Sequence, residues 1–208
     1  MTRMADRDRT DDKRGARGRK PTFDRDETIG IALNLFWRHG YEGVSIGDLC
    51  EAIGIAPPSL YHAFGSKAGL YRAALRQYGV GYMTLDEIGA APSACSAVQS
   101  LLERGVEAVT RPGRPLGCLV SSGMLMVGPD HAGLAAELRA LRAGLRQAIE
   151  RRIAQDVASG ILPASVDASA LARFYATVLQ GLSAQAIDGA TREELTSTAA
   201  IALRAWPR

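Results

Sequence analysis

The chain has 208 residues, 47% of them apolar and 23% charged, with a formal net charge of +3. That apolar share fits one or two folded globular domains and excludes a mostly disordered polyelectrolyte. The longest nearly uninterrupted apolar stretch, 116–127, falls well short of the roughly 20 residues a membrane-spanning helix needs.

Three cysteines lie far apart with no CxxC pair, which argues against a disulfide framework or a structural zinc finger and makes a reducing cytoplasm the expected compartment. Charge is placed unevenly. Residues 1–20 carry eight basic and four acidic side chains, 21–80 five and six, and 81–208 twelve of each. The basic excess therefore sits in an arm ending Arg14-Gly15-Ala16-Arg17-Gly18-Arg19-Lys20, which lacks the apolar run of a secretory signal and is expected to be flexible until it meets a polyanion. The plain alternative is a solubilising tail.

Helical punctuation starts directly after the arm. Asp24 and Glu27 fit a capping box, Ile29, Ala32, Leu33 and Phe36 recur at helical spacing, and Gly40 offers a stop, predicting a helix over 25–39. Ser45 with Asp48 repeats the start signal before an apolar face of Ile46, Leu49, Cys50 and Ile53, so a short helix over 46–53 ends at Gly54. Pro57 and Pro58 suit the first turn of a third helix, 57–63, and Ser66 caps a fourth running to Tyr78. Further helices are expected over 93–110, 117–127, 131–159, 167–188 and 192–205, separated by Gly/Pro clusters. In the long one, Leu134, Leu138, Leu141, Leu145, Ile149, Ile153 and Val157 form one stripe opposite Arg139, Arg142, Arg146 and Arg151. No segment alternates with period two for long enough to suggest a sheet, so the expected class is all-α.

Helices 46–53 and 57–63 satisfy a register test. A helix-turn-helix crosses its helices closely and needs a small residue four before the turn glycine and an apolar one six after it; Cys50 and Leu60 fall there around Gly54. An ordinary αα-corner meets the same spacing.

The wider context is more specific. Residues 24–78, and within them Leu35-Phe36-Trp37-Arg38-His39-Gly40-Tyr41-Glu42-Gly43-Val44-Ser45-Ile46 and Gly54-Ile55-Ala56-Pro57-Pro58-Ser59-Leu60-Tyr61-His62-Ala63-Phe64-Gly65-Ser66-Lys67, strongly resemble the amino-terminal domain of TetR-family transcriptional regulators. A weaker likeness to a penultimate helix of that family continues at Leu179-Gln180-Gly181-Leu182-Ser183-Ala184-Gln185-Ala186. The resemblance implies an all-α homodimer with a helix-turn-helix DNA-binding domain (21–80) and an effector-binding and dimerisation domain (81–208), which the basic arm (1–20) read from the charge distribution precedes. It implies a regulator without enzymatic activity, most members being repressors, with double-stranded operator DNA as partner, an unknown small-molecule effector, no cofactor and no membrane.

If helix 57–63 enters the major groove, Pro57, Pro58, Ser59 and His62 face the bases, where a hydroxyl can bond a base edge and proline rings can pack on thymine methyls. Tyr61, Lys67 and Ser45 fit phosphate-contacting positions, Lys67 at a helix start where dipole and ammonium act together; core packing is the alternative for Tyr61. Ala56-Pro57-Pro58 departs from the polar or basic pair of many relatives, so base reading should be apolar and thin. Arg17, Arg19 and Lys20 then gain a role as minor-groove or backbone contacts for a slightly acidic domain. His39 reads as a helix-end cap, Trp37 as core, and Cys50 as a consequence of the helix crossing.

In the second half, Gly117-Cys118-Leu119 opens an apolar helix, a setting that can lower a thiol pKa, and resembles a TetR subgroup in which such a cysteine senses electrophiles or oxidants; a packed core thiol is the alternative. A small-molecule pocket among the middle helices would draw on Leu102, Val106, Leu119, Met124, Met126, Phe174 and Tyr175. Dimerisation is expected through the last two helices, by Leu171, Phe174, Tyr175, Val178, Leu182 and Ala186, with Gly181 and Ser183 allowing close approach, and by Leu195, Ala199, Ala202, Leu203 and Trp206. Two rivals remain: an enzyme using Cys118 with His131, and a DNA-binding protein that answers to no ligand. Asp130 and His131 have no second histidine or cysteine at ligand spacing, so no metal site is expected there.

Overall fold

A computed structural model describes residues 24–79 and 83–207. Among them the chain forms ten α-helices and no strand: α1 (Arg25–His39), α2 (Ile46–Ile53), α3 (Pro57–Phe64), α4 (Lys67–Tyr78), α5 (Leu85–Ala90), α6 (Ala94–Val109), α7 (Leu119–Ser122), α8 (Ala132–Ala158), α9 (Ala168–Ile187) and α10 (Arg192–Arg204), with a 3₁₀ turn at Pro129–His131. The all-α class is as expected. The expected arm, with Arg17, Arg19 and Lys20, lies outside the described residues.

The first four helices start and stop where local chemistry directs. Asp24 accepts from the N–H groups of Asp26 and Glu27, while Ser45 and Asp48 form a reciprocal capping box. Gly54 closes α2 in the left-handed region, at φ 76° and ψ 31°, which turns the chain into α3. Leu49, Leu60, Leu70 and Phe36 are fully buried between these helices, and Tyr71 of α4 packs edge-on against Phe36 at 4.9 Å. This core extends past the first four helices, because Leu119, Met124, Leu134 and Leu138 pack into it. Arg72 of α4 grips Glu137 of α8 through both Nε and Nη2, at 2.7 to 3.0 Å.

A second core joins α6, α8, α9 and α10 around Leu101, Leu102, Ile149, Ile153, Tyr175 and Leu179. It contains one buried ion pair, Arg152 with Asp156, and the surrounding backbone completes it: Asp156 accepts from the Ala94 N–H and Arg152 donates to the carbonyls of Ala91 and Pro92. Those bonds satisfy charges that would otherwise be costly to bury.

Three elements differ from the sequence expectation. Helix α5 falls where only a connection was expected; Thr84 and Glu87 make its capping box and Ile88 anchors it, fully buried. Helix α7 has four residues, where 117–127 was expected. Arg142 of α8 donates through Nη1 to the carbonyls of Val120 (2.8 Å) and Gly123 (3.1 Å), taking the Val120 acceptor that a continuing helix would use, and Gly123 then turns extended. Met124 follows at φ 54° and sinks into the amino-terminal core. The apolar stripe of α8 is also divided. Leu134 and Leu138 serve the first core and Ile149 and Ile153 the second, while Leu141 between them is 45% exposed.

Candidate nucleic-acid interface and effector cavity

Helix α3 is held from beneath by Leu60, fully buried, and presents Pro57, Pro58, Ser59, Tyr61 and His62 to solvent. Tyr61 is 49% exposed, so it is not part of the core. Ala56 supplies no side-chain cap, and the amino-terminal turn of α3 begins on two prolines. Ser45, at the start of α2, is exposed, and its hydroxyl accepts from the Asp48 N–H at 3.1 Å. The Ser45 N–H and hydroxyl hold the Asp48 carboxyl below its ordinary value. Lys67, in the first turn of α4, lies with Nζ 4.2 Å from the centre of the Tyr41 ring, and partial burial lowers its pKa. Ser45, the exposed residues of α3 and Lys67 thus stand on or at the start of the consecutive helices α2, α3 and α4.

A cavity of about 390 Å³ lies where α8 passes between the two cores. Met83, Leu85, Val120, Leu145, Ala176 and Leu179 supply its apolar wall, and Cys118, Ser121, Arg142 and Gln180 its polar part. Of the effector candidates named from the sequence, Cys118 lines it. Met124, Phe174 and Tyr175 do not: Met124 is in the amino-terminal core, Phe174 is 43% exposed on α9, and the Tyr175 hydroxyl, buried, donates to the Ala202 carbonyl at 3.1 Å. Burial pushes the Tyr175 phenol up to about 12. Leu102, Val106, Leu119 and Met126 lie off the cavity as well; the first three pack in the cores and Met126 is 91% exposed. Arg142 was missed because its place opposite the leucine stripe reads as a solvated face. At 3.6 residues per turn, position 142 lies only about 40° round the helix from Leu138 and about 60° from Leu145, so it flanks the leucine stripe and reaches the cavity wall.

Cys118 is the N-cap of α7. It is 1% exposed, its N–H donates to the Ser183 hydroxyl at 2.8 Å, and its sulfur accepts from the Ser121 N–H at 3.4 Å. His131 keeps different company: Nε2 is 3.5 Å from a Glu42 carboxylate oxygen and its ring lies 4.9 Å from that of Tyr41. Among the described residues no cluster of three or more potential metal ligands occurs, and no helix is long and apolar enough to cross a membrane.

The expected dimer residues divide by burial. Tyr175, Leu182, Ser183, Ala186, Leu195, Ala199 and Ala202 are buried within the protomer, where they pack α9 and α10 on α6. The outward faces of the same helices carry Phe174, Gly181 and Ala184 on α9 and Ser197 and Ile201 on α10. Nothing lies within 4 Å of where a side chain at Gly181 would begin.

Comparison with known proteins decides the family. The model for bacterial regulatory proteins of the tetR family matches residues 29–74, and that for a tetracyclin repressor-like carboxyl-terminal domain matches 94–200. The chain belongs to the TetR family. Among curated TetR relatives, the HTH-type transcriptional repressor ComR of Escherichia coli K12 is 35% identical over 201 residues, covering 92% of this chain and 93% of that one. The repressor BdcR of the same strain is 32% identical over 189 residues, covering 89% and 90%. Among solved TetR structures, a cysteine mutant of the regulator CifR in complex with 26-bp double-strand operator DNA superposes with a TM-score of 0.83 at 43% identity, covering 91% of this chain and 100% of that one.

Proposed function

We propose that this TetR-family regulator is a repressor that binds double-stranded operator DNA as a homodimer and is released by a small molecule entering the α7–α8–α9 cavity or by modification of Cys118. Residues 21–80 act as the reader and 81–208 as the effector and dimerisation part. The observation that carries the reading is the exposed face of α3, with Ser45 and Lys67 flanking it, in a fold shared closely with a DNA-bound relative. Pro57, Pro58, Ser59 and His62 meet base edges, Tyr61, Ser45 and Lys67 meet phosphates, and the basic arm of Arg17, Arg19 and Lys20 adds the cations that residues 21–80 lack.

Between the two modes of release, the cavity favours the small molecule. Its wall is made by α7 and by the stretch of α8 that joins the reader's core to the second core, so filling it acts on an element both cores share. Dimerisation uses the outward faces of α9 and α10 around Phe174, Gly181 and Ile201, since the inward faces are spent on the protomer's own core. A gel shift with the intergenic DNA upstream of the coding sequence tests the reading. Retarded DNA that competitor of unrelated sequence does not displace supports it, and no complex even at low salt contradicts it.

A further inference from the structure

The cavity wall carries one formal charge. Its residues include no aspartate or glutamate, and the cation is Arg142, partly buried among Leu141, Leu145, Val120 and Leu179. Arg142 has no ion-pair partner among the described residues. Its Nη1 serves the Val120 and Gly123 carbonyls, whereas Nε and Nη2 make no hydrogen bond there. Burial and the neighbouring Arg139 both lower its pKa, as expected of a guanidinium set in an apolar wall without a counter-ion. A partly desolvated cation of this kind is stabilised by any anion that can reach it.

Resting on the reading of this cavity as the effector site, we propose that its ligand is a small, mostly apolar organic acid whose carboxylate is held by the Nε/Nη2 edge of Arg142. The same edge is used in this fold by Arg72, which takes both oxygens of Glu137 through Nε and Nη2. A planar guanidinium offers two parallel N–H donors on that edge, matched to the two oxygens of a carboxylate. The volume of about 390 Å³ sits at the small end of ligand pockets and suits a short acyl chain or a single ring. Leu85, Leu145, Val120, Ala176 and Leu179 would cover that part.

The position of Arg142 also links occupancy to DNA binding. Its Nη1 bonds fix the end of α7, where Gly123 sits so close to Tyr71 of α4 that a side-chain carbon at Gly123 would fall 3.1 Å from the tyrosine hydroxyl. A carboxylate on the Nε/Nη2 edge leaves the Nη1 donors free of competition, but by drawing the whole guanidinium toward the cavity it strains the two Nη1 bonds and loosens the α7 end against α4, the helix that carries Lys67.

The test is calorimetric titration of the full-length protein, free of DNA, with hexanoate and phenylacetate and with their neutral isosteres hexanamide and phenylacetamide. The acids are expected to bind at least about tenfold more tightly than the amides, as loss of a charged bidentate contact implies. In Arg142→Gln that preference should vanish, and Arg142→Lys should recover only part of it. Equal affinity for acid and amide, absence of binding by both acids, or an Arg142→Gln protein that keeps the preference overturns the proposal. Should Arg142→Gln not fold, the acid and amide comparison on the unaltered protein decides alone. A gel shift run without ligand reports separately on the repressor reading: if operator DNA is not bound, that reading fails while the titration still settles the ligand class.

Discussion

Lys67 shows how much of a site can be read from one residue and how much cannot. Its type and its place after the Ser66 cap make it a proposed phosphate contact, but the sequence does not show the Tyr41 ring 4.2 Å from the ammonium. Lys67→Ala is expected to weaken operator binding without changing sequence preference, and to lower the salt slope by about one unit, checked by fluorescence anisotropy across a salt series. Asp48 carries a second prediction. Its carboxyl is held below 3.8 in the fold by the Ser45 N–H and hydroxyl, so it favours the folded state above that value and stops doing so as pH falls through the lower folded value. Urea midpoints of Asp48→Ala should therefore lie below those of the unaltered protein at pH 7, and the gap should close as the pH is taken below 3.8. Arg142 was hidden at this scale, since an arginine spaced along the polar side of a long helix has no mark that separates a wall residue from a solvated one.

Elements bounded by strong local chemistry were legible. The capped starts of α1, α2 and α4 and the left-handed Gly54 set the reader's helices within a residue of expectation, because caps act over a single turn. The end of α7 was not, because the group that ends it, Arg142, arrives from a helix about twenty residues further along the chain. Helix α5 had its signal in Thr84 and Glu87, outweighed by the Gly/Pro run that follows. Close packing between elements gives the third prediction. Gly117 has φ +78°, and a Cβ there would lie 2.6 Å from Cγ1 and 2.7 Å from Cδ1 of Ile187. Gly117→Ala should cost about 1–3 kcal/mol of stability in urea unfolding, from the left-handed backbone and the displaced α9 together.

At the scale of the whole molecule, charge and surface set the assembly. The net +3 resolves into +4 over residues 1–20 and −1 over residues 21–208, and α9 and α10 keep Phe174, Gly181 and Ile201 outside a core already complete without them. Phe174→Glu is therefore expected to leave the fold intact by circular dichroism and to shift the protein to monomer in sedimentation velocity, with operator affinity falling as paired reading is lost. The most direct measurement is a DNase I footprint of the full-length protein on its upstream intergenic DNA. Two protected half-sites are expected, with centres about one helical turn, roughly 34 Å, apart on one face of the duplex. Absence of any protected site at low salt, or protection spread evenly along the DNA, would contradict that expectation.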